Sequence, residues 1–201
     1  MKKQFFVTIP ILPEKNLMKL SYRKEMSDDF YPTRSRFPSI PMIEGAVCPD
    51  DEVRIVVIYA DDAAGRSKRC LELFEQELAD LNEKYGWSLE INEHILLPHQ
   101  EDRAKQIALF REVSSKYEEG AAVYMDITYG TKITSIGIFS SLVYAEKVKG
   151  CTIKGIVYGK YSHDGGETGE LYDVRCVYEM NMLIHSLDRG NADALLDAIW
   201  E

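Results

Sequence analysis

The chain has 201 residues, 45% of them apolar and 28% charged, with a formal net charge of −9. These are the proportions of an ordinary globular domain with a core of its own, and the acidic balance argues against a general binder of duplex nucleic acid. No apolar run is long enough to span a bilayer, so a membrane partner is not expected.

The opening Met1-Lys2-Lys3-Gln4-Phe5-Phe6-Val7 begins like a secretory signal. Pro10, Pro13, Glu14 and Lys15 then cut the apolar stretch short, and no small-residue cleavage site follows. Gln4 to Ile9 therefore reads as a buried first strand in a cytoplasmic protein. Residues 10–50 hold six of the seven prolines and little helical or strand period. They read as a long irregular excursion, the kind of segment that forms a lid or binding loop or is simply poorly ordered. Charge is uneven: residues 1–40 carry eight Lys or Arg against four acids, a balance of +4 that leaves −13 on the rest. A basic lobe on an acidic body suits a small anionic ligand; a solvated basic loop explains it equally well. Tyr22, Tyr31 and Phe37 lie among these basic residues, where they either pin the loop to the core or stack on bases.

Val53 to Ala60 is a β-branched, nearly all-apolar second strand, suited to burial on both faces. Asp61 to Ser67 is a turn into a helix with Leu71, Phe74, Leu78, Leu81 and Tyr85 at helical spacing, stopped by Gly86. Leu89 to Leu97 is a third strand, and His99 to Glu119 a second helix. Ala121 to Asp126 is a fourth strand, followed by Ile127-Thr128-Tyr129-Gly130-Thr131-Lys132 and a very apolar helix ending at Gly150. Thr152 to Tyr158 is a fifth strand, followed by Gly159-Lys160-Tyr161. Residues 162–170 form a polar, glycine-rich loop, and Asp173 to Leu187 and Asn191 to Trp200 are two closing helices.

Alternation of this kind predicts an α/β fold: a doubly wound, mostly parallel Rossmann-like sheet with helices on both faces and a C-terminal helical pair. Ligands in such sheets sit beyond the carboxyl ends of the strands. The residues there are Thr8, Ile9 and Pro10; Asp61 and Gly65; Asp126, Thr128, Tyr129, Gly130, Thr131 and Lys132; and Tyr158 and Gly159. The corner at 126–132 has two readings. It is either an anion site, with helix N–H groups, Gly130 and Lys132 meeting a phosphate, or a plain strand-to-helix turn capped by Thr128. Asp126 is either a general base or an acceptor for backbone N–H groups that holds the turn. Cys48, Cys70, Cys151 and Cys176 lack Cys-x-x-Cys spacing, and the four histidines lack metal spacing. Reduced, mostly buried thiols are expected, with no metal and no cofactor.

The segment Asp126-Ile127-Thr128-Tyr129-Gly130-Thr131-Lys132 resembles the Asp-Ile-Thr-His-Gly signature of CRISPR-associated proteins with a CARF domain (CRISPR-associated Rossmann fold). Tyr129 stands where that group has His, and Thr131-Lys132 where it has Phe-Arg. Ile156-Val157-Tyr158-Gly159 resembles a strand end of the same group, and Leu187-Asp188-Arg189-Gly190-Asn191 between the closing helices resembles its C-terminal pattern. The resemblance implies a sensor domain over residues 1–174 with helices at 175–201 packed on it. It also implies a homodimer that binds a cyclic oligoadenylate, the tetra- or hexa-adenylate messenger of type III antiviral defence. By this likeness Thr128, Gly130, Thr131 and Lys132 would contact phosphates or riboses, with Thr8 and Pro10 lining the ring. Members of the group usually carry an effector, for which this chain has no room. The chain is then either the sensor part of a longer protein or a standalone metal-independent ring nuclease, with Lys132 and Thr131 as its catalytic residues. A dimeric interaction module without a small ligand, paired through the helix from Ile133 to Val148, is the remaining reading.

Overall fold

The computed structural model describes residues 1–24, 33–60, 62–97, 102–161 and 168–186. In chain order the elements are β1 Lys2–Thr8, a 3-10 turn at Glu14–Asn16, β2 Leu20–Lys24, β3 Arg34–Ser35, α1 Ser39–Ala46, β4 Glu52–Ala60, α2 Arg66–Tyr85, β5 Ile91–Leu97, α3 Arg103–Ser115, β6 Ala122–Asp126, α4 Lys132–Lys149, β7 Thr152–Tyr161, β8 Thr168–Asp173 and α5 Arg175–Ser186. The strands form one eight-stranded sheet in the order β3-β2-β8-β7-β6-β1-β4-β5. β7 and β8 are antiparallel, as are β2 and β3; the other neighbours run parallel. The protein thus has the α/β, Rossmann-like architecture that the alternation of its sequence predicts. The chain winds outward from β1 to β4 and β5, then restarts at β6 on the other side of β1. The boundary between β1 and β6 is therefore the topological switch point.

β1 is apolar on both faces because both faces are covered. Phe5 and Val7 join Ile55, Val57 and Tyr124 in one core, while Phe6 joins Val56, Ile58, Val123 and Met125 in the other. The Phe5 ring stacks on Tyr124 with centroids 4.7 Å apart. The first core is closed by Leu73, Phe74 and Leu78 of α2 and by Leu17, Leu20, Tyr22, Phe37, Ile40, Met42 and Ile43. The second is closed by Leu109 and Val113 of α3, Ile138 and Leu142 of α4, and Tyr178 of α5.

The described residues of 10–50 are not the irregular excursion expected from their prolines. They hold β2, β3 and α1, and Phe37, Met42 and Ile43 are fully buried. Burying one such side chain contributes about 1.5–3 kcal/mol, so this lobe is part of the core and not a lid. α1 lacks an amphipathic period because Ser39 through Glu44 are all buried. Pro41 fits because it lies in the first turn, where a helix needs no N–H donor. The polar segment after β7 also contains more structure than expected: Thr168–Asp173 is β8, and the helix starts at Arg175 instead of Asp173. The third strand begins at Ile91 and the second long helix spans Arg103–Ser115, both shorter than the sequence suggests. The helix expected over Asn191 to Trp200, the Leu187 to Asn191 connection, Tyr31, Asp61, His99, His163 and the 162–167 loop lie outside the described residues.

The two margins of the sheet differ in kind. β3 is only two residues long. β5 carries a register shift opposite Ile55 and Val56, and the Asn92 side chain there accepts the Ile55 N–H at 2.7 Å. Cys70 and Cys151 are buried, Cys48 and Cys176 are exposed, and all four are free thiols. Among the described residues no helix is long and apolar enough to cross a membrane. Nor does any group of three or more His, Cys, Asp or Glu among them have metal-holding geometry.

Candidate ligand site at the carboxyl edge

The β6–α4 corner stands at the switch point and is tied down on several sides. Ile127 N donates to Val157 O at 3.0 Å, and Thr128 N to Asp126 Oδ1 at 2.8 Å. The Thr128 hydroxyl accepts the Gly159 N–H at 2.9 Å. Tyr129 N donates to Thr8 Oγ1 at 3.1 Å, and its hydroxyl donates to the Arg36 carbonyl at 3.2 Å. β1, β6, β7 and the first lobe thus each supply a fixed point. Gly130, with φ of 109°, then turns the chain outward in a region that side chains rarely enter. Thr131, and not Thr128, caps the helix: its side chain accepts Thr134 N at 3.2 Å.

The corner splits the strand-end residues into two groups. Thr8, Ile9, Pro10, Asp126, Tyr129 and Gly159 are buried, Thr128 is half-buried, and Gly65, Gly130, Thr131, Lys132 and Tyr158 are exposed. Gly159 is pressed against the lobe, and a Cβ there would lie 2.3 Å from Pro38 Cγ. Tyr158 points to the opposite face, the side of α4 and α5, because side chains alternate along a strand and Val157 belongs to the first core.

The two helix N-termini near the switch point are electrostatically unlike. At α2, Asp62 accepts from Ala64 N at 3.2 Å and Ser67 N at 2.8 Å, and also binds Arg66 Nε at 3.0 Å. The Ser67 N–H and the Arg66 guanidinium hold the Asp62 carboxyl down at about 2. This helix end therefore already has its anion, and Gly65 serves as its left-handed N-cap. At α4 the first turn contains no acidic side chain and begins with exposed Lys132. Its partial positive charge faces solvent.

Asp126 lies directly beneath this corner, fully buried. Among the described residues its Oδ2 has no hydrogen-bond partner, nor do the buried Ser39 Oγ and Tyr22 Oη. Burial pushes its carboxyl up to about 7; Thr128 and the Ser39 hydroxyl pull the other way without closing a direct bond to Oδ2. Burial likewise holds the Tyr22 and Tyr129 hydroxyls well above their ordinary range, and Asp126 and Glu77 add to it.

Sequence reasoning missed the contribution of the lobe to this corner: the Arg36 carbonyl, Pro38, Ser39 and Tyr22. The aromatics among its basic residues were the available signal, and Tyr22 and Phe37 do pin the lobe to the core. Much of the basic charge is spent internally. Glu77 binds the Ser35 hydroxyl, Arg36 Nη1 at 2.9 Å and, more loosely, Lys19 at 3.9 Å. An open cavity of about 310 Å³ lies elsewhere, near the amino end of β5, lined by Leu78, Asn82, Leu89, Ile91 and His94 among others.

No protein-family model matches the chain, and no curated protein matches it.

Proposed function

We propose that this protein is a CARF-type sensor module that binds a cyclic oligoadenylate as a homodimer in type III CRISPR antiviral defence. The observation that carries the reading is the α4 N-terminus at the switch point. It joins exposed Gly130, Thr131 and Lys132 in a turn fixed from several strands, without an acidic residue in its first turn. A phosphodiester placed there gains helix N–H groups and an ammonium. Tyr158, 43% exposed, supplies an aromatic face nearby for a base. The fixed anchors supply preorganisation, so little is lost in ordering the site on binding.

The dimer is supported by the outer face of α4, where Ile133 and Ile136 are 48% and 65% exposed. Large apolar side chains displayed on a rigid helix suit a self-complementary two-fold contact. A ring ligand with two-fold symmetry then meets one corner from each protomer.

Lys132 and Thr131 also support a second reading, ring opening. A ribose 2′-oxygen attacks the adjacent phosphorus and the P–O5′ bond breaks. A 2′,3′-cyclic phosphate and a 5′-hydroxyl result, the departing oxygen taking up the proton that the 2′-hydroxyl releases. In-line geometry and charge stabilisation are the main requirements. Calorimetry and thermal shift with cyclic tetra- and hexa-adenylate test the sensor. Heat and a raised melting point are expected with one ring; neither signal with either ring would remove the proposal. Chromatography of the ligand after incubation separates binding from cleavage.

A further inference from the structure

Asp126 ends β6, and the exposed turn at Gly130 follows four residues later. Its side chain sees no solvent. Oδ1 accepts one backbone N–H, and Oδ2 accepts nothing. The groups that face it are Tyr22 from β2, Ser39 from α1, and Thr128 and Tyr129 from its own corner. Glu77 and Cys70 of α2 are close enough to act on the tyrosines electrostatically. None of these is a cation, and the Arg36 guanidinium is turned to Glu77. Among the described residues an ionised carboxylate in this position has no counter-ion, and its one full hydrogen bond comes from a backbone N–H, with the Thr128 and Ser39 hydroxyls compensating only in part, a costly arrangement in a dry interior. With a proton on Oδ2 it becomes a donor beside the Ser39 hydroxyl, and both Ser39 Oγ and the neighbouring Tyr22 Oη are buried without a partner among the described residues.

We propose that the protonation of Asp126 is coupled to an anion at the β6–α4 corner, the liganded protein holding it as a neutral acid, so that the protein takes up a proton as it takes up a phosphate-bearing ligand. The coupling rests on the reading of that corner as an anion site. A phosphodiester beside Gly130 to Lys132 places negative charge above the same poorly screened interior, where ionised Asp126 would repel it. Proton and anion therefore favour each other, and the effect is reciprocal. Burial holds the Asp126 carboxyl near neutrality in the unliganded chain, so the exchange falls in an accessible pH range. Asp126 touches no ligand; it is a positioning residue that sets the field under the corner.

The test is calorimetry of the full chain with cyclic tetra- and hexa-adenylate in two buffers of different ionisation enthalpy. Phosphodiesters do not titrate near neutrality, so any proton exchanged belongs to the protein. Net proton uptake is expected slightly above neutral pH, with affinity about tenfold tighter at about pH 6 than at about pH 8. Asp126→Asn should bind with the same affinity at both and take up no proton. Equal wild-type affinity with no uptake, or uptake that persists in the Asn variant, overturns the coupling while leaving the ligand reading intact. Should the Asn variant not fold, a wild-type proton count of zero still overturns the coupling. No heat with either ring at either pH removes the ligand reading and the coupling together. Infrared spectroscopy of the unliganded protein is a further arm. A protonated-carboxyl band at about pH 6 that the Asn variant lacks is expected, and its absence overturns the neutral acid.

Discussion

At Gly159 one hydrogen atom separates a close fit from a collision. A methyl there would meet Pro38 Cγ at 2.3 Å and Cβ at 2.9 Å, and neither ring atom can swing aside. Gly159→Ala should therefore push α1 off the sheet and strain the bond from Gly159 N to Thr128. A loss of about 1–3 kcal/mol in urea unfolding is expected; an unchanged midpoint would show that the lobe yields freely. Asp126 gives a second prediction at this scale. Its carboxyl lies near 7 in the folded chain against an ordinary value of 3.8, so the folded state holds a proton that the unfolded state releases. The resulting stabilisation is complete below about pH 4 and is lost as pH rises through about 7, with a size of roughly 4 kcal/mol. Glu93, held low by Lys116 and Arg54, and Asp62, held low by the Ser67 N–H, have the opposite slope. Urea stability of wild type and Asp126→Asn at about pH 5 and about pH 8 isolates the Asp126 part. The variant should gain on wild type as pH rises; a gap that does not move with pH would refute it. The sequence disclosed that a carboxylate at this strand end can hold the turn. It did not disclose that the described neighbours of Asp126 include no cation, because they come from β2, α1 and α2, distant in the chain.

Elements with a clear period were legible, and those without one were not. The helical spacing of Leu71, Phe74, Leu78 and Leu81 gave α2, and the unbroken β-branched run gave β4. α1 was invisible because a helix buried all round has no polar face to mark its turns. β8 was overlooked although Gly169, Leu171 and Asp173 alternate inward with half-exposed neighbours; its glycine and acids matched a loop by composition. At the α4 N-terminus, placing the cap at Thr128 missed that the corner needs three more residues to clear β7 and Thr8. Thr131→Ala should cost about 1 kcal/mol in thermal unfolding. Lys132→Ala should leave stability unchanged and, on the proposed reading of the corner, weaken cyclic-adenylate binding about tenfold and flatten its dependence on salt. Binding that survives Lys132→Ala at full strength would put the anion elsewhere.

Across the molecule the exposed apolar side chains are unevenly placed. Ile107 of α3, Ile133 and Ile136 of α4, and Val177, Met180 and Ile184 of α5 all belong to the helix layer over the second core. If this layer is the two-fold contact, Ile136→Glu should yield a monomer in sedimentation while leaving the fold cooperative by circular dichroism. A dimer that persists would move the contact to another face. The doubly wound core was readable from the order of its parallel strands. The three strands beyond β7 in the sheet were not, because their pairing depends on the lobe and the hairpin meeting far apart in the chain. The margins that result also restrict how copies of this protein can meet. One ends in a two-residue strand and the other in a kinked strand carrying Glu93 and His94. Neither offers a straight backbone ladder to a neighbour. Open-ended stacking of sheets into filaments is thereby discouraged at both flanks.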